Sequence, residues 1–333
     1  MGLSSRNVLA RGLPFQRSIV ADLITVQRRE CWGSQASEAK GHRNHAVPFC
    51  FVPQSIVGST HSSPGDQGPG PLRCGLWFMR IDINADVGES FGAYTIGSDE
   101  ALMRSVTSAS VAAGFHAGDP SVLRRTIRLA KAHGVAVGAH PGFPDLVGFG
   151  RREMQVSPAD AESFVLYQIA AVAGVATAEG VKLQHVKPHG ALFNMAARDP
   201  SLAAAIASAV ASFDPSLILF GLAGSQILTA GRAAGLRVAS EVFADRAYEP
   251  DGSLRERTRS DAVIHETAAV VSRAVRMVTE RSVEAIDGTV VPLDADTICV
   301  HGDTPGADAL AARLRAGLEA AGVLVKALSA SPA

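Results

Sequence analysis

Cysteine is scarce. The chain has four in 333 residues, and Cys31, Cys50 and Cys74 all precede residue 79, leaving Cys299 alone beyond it. A single thiol excludes a disulfide scaffold for that larger part and favours a reducing, cytoplasmic setting. An excess of one charge is also missing: 31 Lys+Arg stand against 32 Asp+Glu, a net charge of −1. Nucleic acid is therefore not the expected partner, because phosphate binding shows as a strong basic surplus. No apolar run has the length needed to cross a bilayer. The best, Phe164 to Val175, is interrupted by Gln168 and Gly174 and soon meets Glu179, so it reads as a buried helix and no membrane is expected. A Gly-x-x-x-x-Gly-Lys-[Ser/Thr] phosphate loop is lacking as well, and Gly148-Phe-Gly-Arg-Arg152 has neither the third glycine nor the helix context of a dinucleotide fingerprint.

What is present is a 47% hydrophobic content, enough over this length for one large core or two ordinary ones. The charge is unevenly distributed. Residues 1–78 carry eight Lys/Arg and four Asp/Glu, whereas residues 79–333 carry 23 and 28. The first segment also holds a Ser/Gly/Pro stretch, Gly58 to Pro71, with no helical or strand period, and reads as an unpacked extension. Arg6, Arg11 and Arg17 precede its first acid, Asp22, as in an organelle transit peptide. The preferred reading is an upstream stretch with Met79 as the natural initiator.

From Met79 the pattern is regular. Seven short runs rich in Val, Ile, Leu and Ala predict buried strands at 81–85, 108–115, 136–140, 183–187, 217–222, 237–243 and 297–301. Helical stretches alternate with them. Asp119-Pro120, Ser157-Pro158, Asp199-Pro200 and Thr304-Pro305 open four of these, and Gly134 and Gly180 close the first two. Alternation with strands apolar throughout implies a parallel sheet covered by helices, either open or closed.

The polar residues decide between the two. Asp82-Ile-Asn84-Ala-Asp86-Val-Gly-Glu89, His116 to Asp119, His140 to Asp145, Lys187-Pro-His189 to Asn194, Glu241 to Arg246, and His301-Gly-Asp303 all fall at strand carboxyl ends. Six of seven strands delivering ionisable groups to one rim fits a barrel, since an open sheet gathers its ligand at a single switch point. The expected fold is α/β: a seven-stranded parallel (β/α) barrel, TIM-like, over residues 79–333, with its site at the carboxyl mouth. The only Asn residues of this region, Asn84 and Asn194, lie in these segments, and five of its seven His, His116, His140, His185, His189 and His301, lie on or beside strand ends.

These segments also carry a resemblance. Asp82 to Gly92, Gly114-Phe-His-Ala-Gly-Asp-Pro120, Gly138-Ala-His-Pro141 with Gly148 to Arg152, Lys187-Pro-His-Gly-Ala-Leu-Phe-Asn194, Glu241 to Tyr248 and Val300-His-Gly-Asp303 resemble, in order, motifs of the LamB/YcsF family of 5-oxoprolinase A subunits. The match covers about residues 79–325. It departs at Ser110-Val-Ala-Ala-Gly114, where the family usually has Asn-Ile-Ala-Cys-Gly, and at Phe193, where Tyr is common. An essential cysteine at that point is ruled out for this chain. The resemblance implies opening of the lactam of 5-oxo-L-proline to L-glutamate with ATP as co-substrate, together with partner subunits B and C.

Such chemistry needs a base for water, an acid for the departing nitrogen and cations for oxyanions. Asp86, His116 and His189 are acid/base candidates, joined by Glu241 and Asp245. Lys187 and Arg246, helped by Arg151 or Arg152, are the cations for the substrate carboxylate or phosphoryl group, unless they are tied up by Glu241 or Asp245. Asn84 and Asn194 complete the substrate-binding set. Asp119 precedes Pro120 and reads more simply as a helix cap. Asp82, Asn84 and Asp86 alternate, so all three face one side of the first strand, where buried carboxylates must be paired, protonated or metal-bound. A rival reading follows: Asp86, His116, His140 and His301 hold a divalent metal, as in an amide hydrolase or a deacetylase-like barrel. A third makes the chain a non-catalytic lactam binder.

Overall fold

In chain order the elements are β1 (Arg80–Val87), α1 (Asp99–Leu102), β2 (Ser108–Ala112), α2 (Pro120–His133), β3 (Ala136–His140), α3 (Pro158–Ala178), β4 (Leu183–Val186), α4 (Gly190–Arg198), α5 (Pro200–Phe213), β5 (Ile218–Leu222), α6 (Gln226–Ala233), β6 (Arg237–Val242), α7 (Thr267–Thr279), β7 (Ser282–Glu284), β8 (Val290–Pro292), β9 (Thr297–His301), α8 (Ala307–Ala320) and β10 (Leu324–Val325). They come from a computed structural model that describes residues 79–329. The extension expected over residues 1–78 lies outside the described residues.

Strands β1 to β6 follow one another in the sheet, β9 pairs with β6, and β9 also pairs with β1. All these pairings are parallel, so seven strands close into a barrel ringed by helices. The registers Asp82↔Thr297, Asn84↔Cys299 and Asp86↔His301 set the closing seam. β10 adds a short parallel edge outside β1, and β7–β8 is a separate antiparallel hairpin. Neither stands out in the sequence, being two or three residues per strand.

The helix punctuation works as capping physics requires. Asp119 Oδ1 accepts hydrogen bonds from the Ser121 and Val122 amides at 2.8 and 2.9 Å, Pro120 follows at the first helical position, and Gly134 closes α2 in the left-handed conformation. Asp199 caps α5 in the same way. α8 departs from expectation: its cap is Gly306, with φ of 81°, and the helix begins two residues after Pro305.

Period two divides β1 between two environments. Ile81, Ile83, Ala85 and Val87 join the apolar layer between strands and helices, while Asp82, Asn84 and Asp86 face the interior. A second small cluster, Ile218, Phe220 and Ala239 with Leu328 against it, forms apart from that layer. α3, 21 residues long, turns out long and apolar enough to span a membrane, contrary to the sequence reading. Here it packs on α5 and β3, burying Val165, Ile169, Val172 and Ala176.

Candidate active site

The interior side chains form one continuous polar ladder. At its foot Asp82 accepts hydrogen bonds from the hydroxyls of Thr107, Ser108 and Thr297 at 2.6, 2.7 and 2.6 Å. Burial pushes its carboxyl pKa up. One step higher, Asn84 donates to Glu241 Oε1 and Thr297 Oγ1, both at 2.8 Å. Above that sits Lys187, whose Nζ contacts Asp86 Oδ1 at 2.7 Å, Asn84 Oδ1 and Glu241 Oε1 at 2.9 Å, and Cys299 Sγ at 3.0 Å. An ammonium has three protons. Four neighbours therefore leave Lys187 no donor for a substrate.

This pairing governs the charges nearby. Burial alone would raise the pKa of Asp86, yet His140 and Lys187 outweigh it and hold the carboxyl well below its ordinary range. Burial would likewise lower Lys187, and the negative groups around it, Asp86 first, keep it firmly charged. The Cys299 thiol is pushed up by burial and stays protonated.

Beside the ladder three imidazoles and one carboxylate converge. His140 donates from Nδ1 to the Lys187 carbonyl at 2.7 Å, and His189 donates from Nε2 to the Phe149 carbonyl at 2.8 Å. Their other nitrogens, His140 Nε2 and His189 Nδ1, face each other at 3.0 Å. His116 stacks flat on His189 with ring centres 3.8 Å apart. Glu89 Oε1 lies 3.5 Å from His116 Nε2 and 3.6 Å from His189 Nδ1. Burial, then the neighbouring Asp86 and Asp303 charges, pushes the Glu89 pKa well up. Burial also holds His116 and His189 well below the usual imidazole range. This buried group could hold a metal ion.

The segment after β3 closes over these rings. Phe149 adopts φ of 55°, a conformation costly for a side-chain-bearing residue, and thereby aims its carbonyl at His189. Gly150, at φ of 63°, must be glycine: a Cβ there would lie 2.7 Å from His116 Cβ and 2.8 Å from His189 Cδ2. The Gly148-to-Arg152 element is thus the lid of an imidazole cluster, not a phosphate loop.

On the other side of the mouth Asp245 Oδ2 accepts from His301 Nδ1 at 3.1 Å, and His301 stacks on Phe243. Burial opposes ionisation of Asp245, but His301 and the Arg246 charge outweigh it and lower its pKa. His301 and Arg246 flank a cavity of about 880 Å³ that is also lined by Asp86, His140, Arg151, Lys187, His189 and Asn194. Arg246 is buried, donating to the carbonyls of Arg255 and Ala262 at 2.5 and 3.3 Å, and burial brings its pKa down to about 10. Arg151 pairs with Asp303 at 2.6 Å and lies over the Phe149 ring.

Not every candidate reaches the cavity. Glu241 is sealed beneath Lys187, and Arg152 is exposed, its guanidinium spent on Asp145. The four residues expected to share a metal fall into two groups: His116 and His140 join Glu89 and His189, whereas Asp86 and His301 lie with Cys299. The closing seam sets Asp86 directly against His301, although Asp86 Oδ1 also comes within 3.4 Å of His140 Nε2. The sequence does not single out Glu89, because it lies beyond the 82-84-86 alternation. Gly88, with φ of 69°, turns the chain and swings Glu89 back inward. A carboxylate one residue past a glycine at a strand end is the signal that could have found it.

The family model described as LamB/YcsF matches residues 81–333. A 5-oxoprolinase A subunit from Tolumonas auensis is 57% identical over 249 residues, spanning 75% of this chain and 99% of that protein. The one from Chloroflexus aggregans is 58% identical over 248 residues, 74% of this chain and 98% of that protein. Among solved structures, the lactam utilization protein from Thermus thermophilus is 51% identical, with a TM-score of 0.72 over 75% of this chain and all of that one.

Proposed function

Because the chain belongs to the LamB/YcsF family, we propose that its barrel, residues 79–333, is the catalytic domain of a 5-oxoprolinase A subunit. It opens the lactam of 5-oxo-L-proline to L-glutamate at the expense of ATP, in concert with subunits B and C and in the reducing cytoplasm. The observation that carries this reading is the extent of the likeness: more than half the residues are identical over 98 to 99% of relatives bearing that name.

The chemistry of the mouth supports it. A lactam is a resonance-stabilised amide, and phosphorylation of its oxygen removes that resonance. Water then adds to the ring carbon, the C–N bond breaks to leave an acyl phosphate, and a second water releases inorganic phosphate and the glutamate carboxylate. With no phosphate loop in this chain, the phosphoryl transfer falls to the partners. The barrel then receives an anionic ring. Arg151 and Arg246 supply guanidinium groups at the cavity for its carboxylate and phosphoryl oxygens, and Asn194 adds an amide. His301, oriented through Nδ1 by Asp245, presents Nε2 as the base that takes a proton from water and returns it to the departing ring nitrogen. Asp86, held anionic by Lys187, positions the ring N–H or the incoming water. Lys187, Asn84 and Glu241 are positioning residues that keep Asp86 charged and fixed. His116 and His189, kept neutral by burial, offer lone pairs rather than protons.

The test is glutamate formation from 5-oxoproline by the full chain, with and without ATP and purified B and C subunits, beside Asp86→Ala and His301→Gln variants. Glutamate is expected only in the complete mixture. His301→Gln should lower kcat by about 10²- to 10⁴-fold, the usual yield of a positioned acid/base. No glutamate from a mixture whose partners work with another A subunit would overturn the assignment.

A further inference from the structure

We propose that Glu89, His116, His140 and His189 form a binding site for one divalent first-row transition-metal ion. Such a site stands independently of the lactam chemistry. Its imidazole protons can be located. A main-chain carbonyl can only accept, so the bonds to Lys187 O and Phe149 O place the protons on His140 Nδ1 and His189 Nε2. With one proton on each ring, two bare lone pairs face each other across 3.0 Å. That arrangement is repulsive unless something positive lies against both.

The same lack of donors recurs at the remaining members. Glu89 Oε1 and both ring nitrogens of His116 are buried without any hydrogen-bond partner among the described residues, and Glu89 and His116 are 3% and 0% exposed. A buried carboxylate oxygen with no donor carries a penalty that a polar chain otherwise avoids. The local charge adds to it. Asp86 and Glu241 share the single positive charge of Lys187, and Asp86 Oδ1 also lies 3.4 Å from His140 Nε2, so Glu89, once ionised, adds a further negative group to a surplus. A dication offsets both.

Spacing fits as well. Bonds of about 2.0–2.1 Å from nitrogen or oxygen to such an ion separate neighbouring donors by roughly 3.0 to 3.4 Å. The observed sequence His140–His189–Glu89–His116 runs 3.0, 3.6 and 3.5 Å. His140 and His189 are aimed by hydrogen bonds from the far ring nitrogen, the arrangement that fixes the tautomer of metal-ligating histidines. Three imidazoles with one carboxylate favour zinc, iron, cobalt or nickel over magnesium or calcium, which want oxygen. His140 and His189 also line the mouth cavity, which gives an ion its way in.

The experiment uses the full chain, stripped with chelator and titrated with Zn²⁺ by calorimetry and with Co²⁺ by visible absorption. One equivalent per chain is expected, with Co²⁺ d–d bands and a rise in Tm on adding zinc. His189→Asn and Glu89→Gln should each weaken Zn²⁺ binding at least tenfold and abolish the Tm rise. Circular dichroism of the stripped variants separates lost binding from lost fold, and Glu89→Gln, nearly isosteric, keeps the test alive if the histidine variant unfolds. Less than a tenth of an equivalent in the parent chain would overturn the proposal and leave a shared proton between His140 and His189. Equal affinity in parent and folded variants would also overturn it, placing the ion elsewhere. Neither result depends on ATP, partners or lactam.

Discussion

At the scale of single residues, the barrel interior is a place where ionisable groups are held in one state. His185 shows the consequence most cleanly. It sits between Ser110 and Gln184, stacks on Phe220, and has its pKa brought down to about 3 by burial first and by Lys187 second. The unfolded chain takes up a proton at this imidazole near its ordinary value of 6.5, while the folded chain refuses it until about 3. Stability from this group is therefore complete above pH 6.5 and is lost as pH falls toward 3. The slope is about 1.4 kcal/mol per pH unit. Urea unfolding of the parent and His185→Gln at several pH values should show the variant's pH dependence shallower by about that amount between roughly pH 6 and 4. Equal slopes would show that His185 titrates alike in both states. Most of the charged residues of the interior are legible in the sequence because they end apolar runs. Their partnerships are not: that Lys187 is saturated by Asp86, Asn84, Glu241 and Cys299 depends on separate strands meeting, and no local pattern encodes it.

Elements are where sequence reading succeeds best, since most strands are short apolar-rich runs and α2, α3 and α5 begin at Asp-Pro or Ser-Pro. Asp119 illustrates how an acid near the site can still belong to architecture. It caps α2 and also accepts from the Gly92 amide at 2.8 Å, tying the loop after β1 to the helix after β2. Asp119→Ala is expected to cost about 1–2 kcal/mol in denaturant unfolding, with Asp119→Asn costing less. Glutamate formation by the folded protein should stay within about twofold of the parent, because this carboxylate is taken up by the Gly92, Ser121 and Val122 amides. Gly150 makes the contrasting case. Its conformation and the short approach to His116 and His189 are invisible in sequence, as is the left-handed Phe149, because backbone dihedrals at a lid follow from what it covers. Gly150→Ala should destabilise the chain by about 1–3 kcal/mol and displace both rings. Loss of turnover in a variant that still folds by circular dichroism would bear this out, and parent-like kinetics would refute it.

For the whole molecule, stability and chemistry are divided between the two ends of the barrel, as parallel barrels generally arrange it. The polar ladder and imidazoles rise toward the mouth, while the chain after β10 returns to the opposite end. There Leu328 packs on Ile218, Phe220 and Ala239, and its carbonyl accepts from Gln184 Nε2 at 2.5 Å. Nothing in residues 326–329 announces this in sequence, for one leucine has no period. Leu328→Asp should remove about 1–2 kcal/mol and lower Tm by roughly 3–6 °C. The residual activity per folded molecule should match the parent, and a fall in kcat larger than the folded fraction explains would show the two ends to be coupled.

The two imidazoles at the mouth are aimed by the carbonyls of Phe149 and Lys187, which belong to the main chain. Every amino acid carries that carbonyl, so no side-chain replacement deletes it. An alanine scan would consequently pass over the groups that fix the two tautomers, scoring position 149 by its ring when its contribution is a direction. Natural drift enjoys the same latitude: position 149 can change its side chain and keep its task, provided the newcomer tolerates a positive φ. Detecting the orienting bonds calls for chemistry on the backbone itself, such as an ester in place of the peptide that follows Phe149, which weakens its carbonyl as an acceptor while every side chain stays as it was.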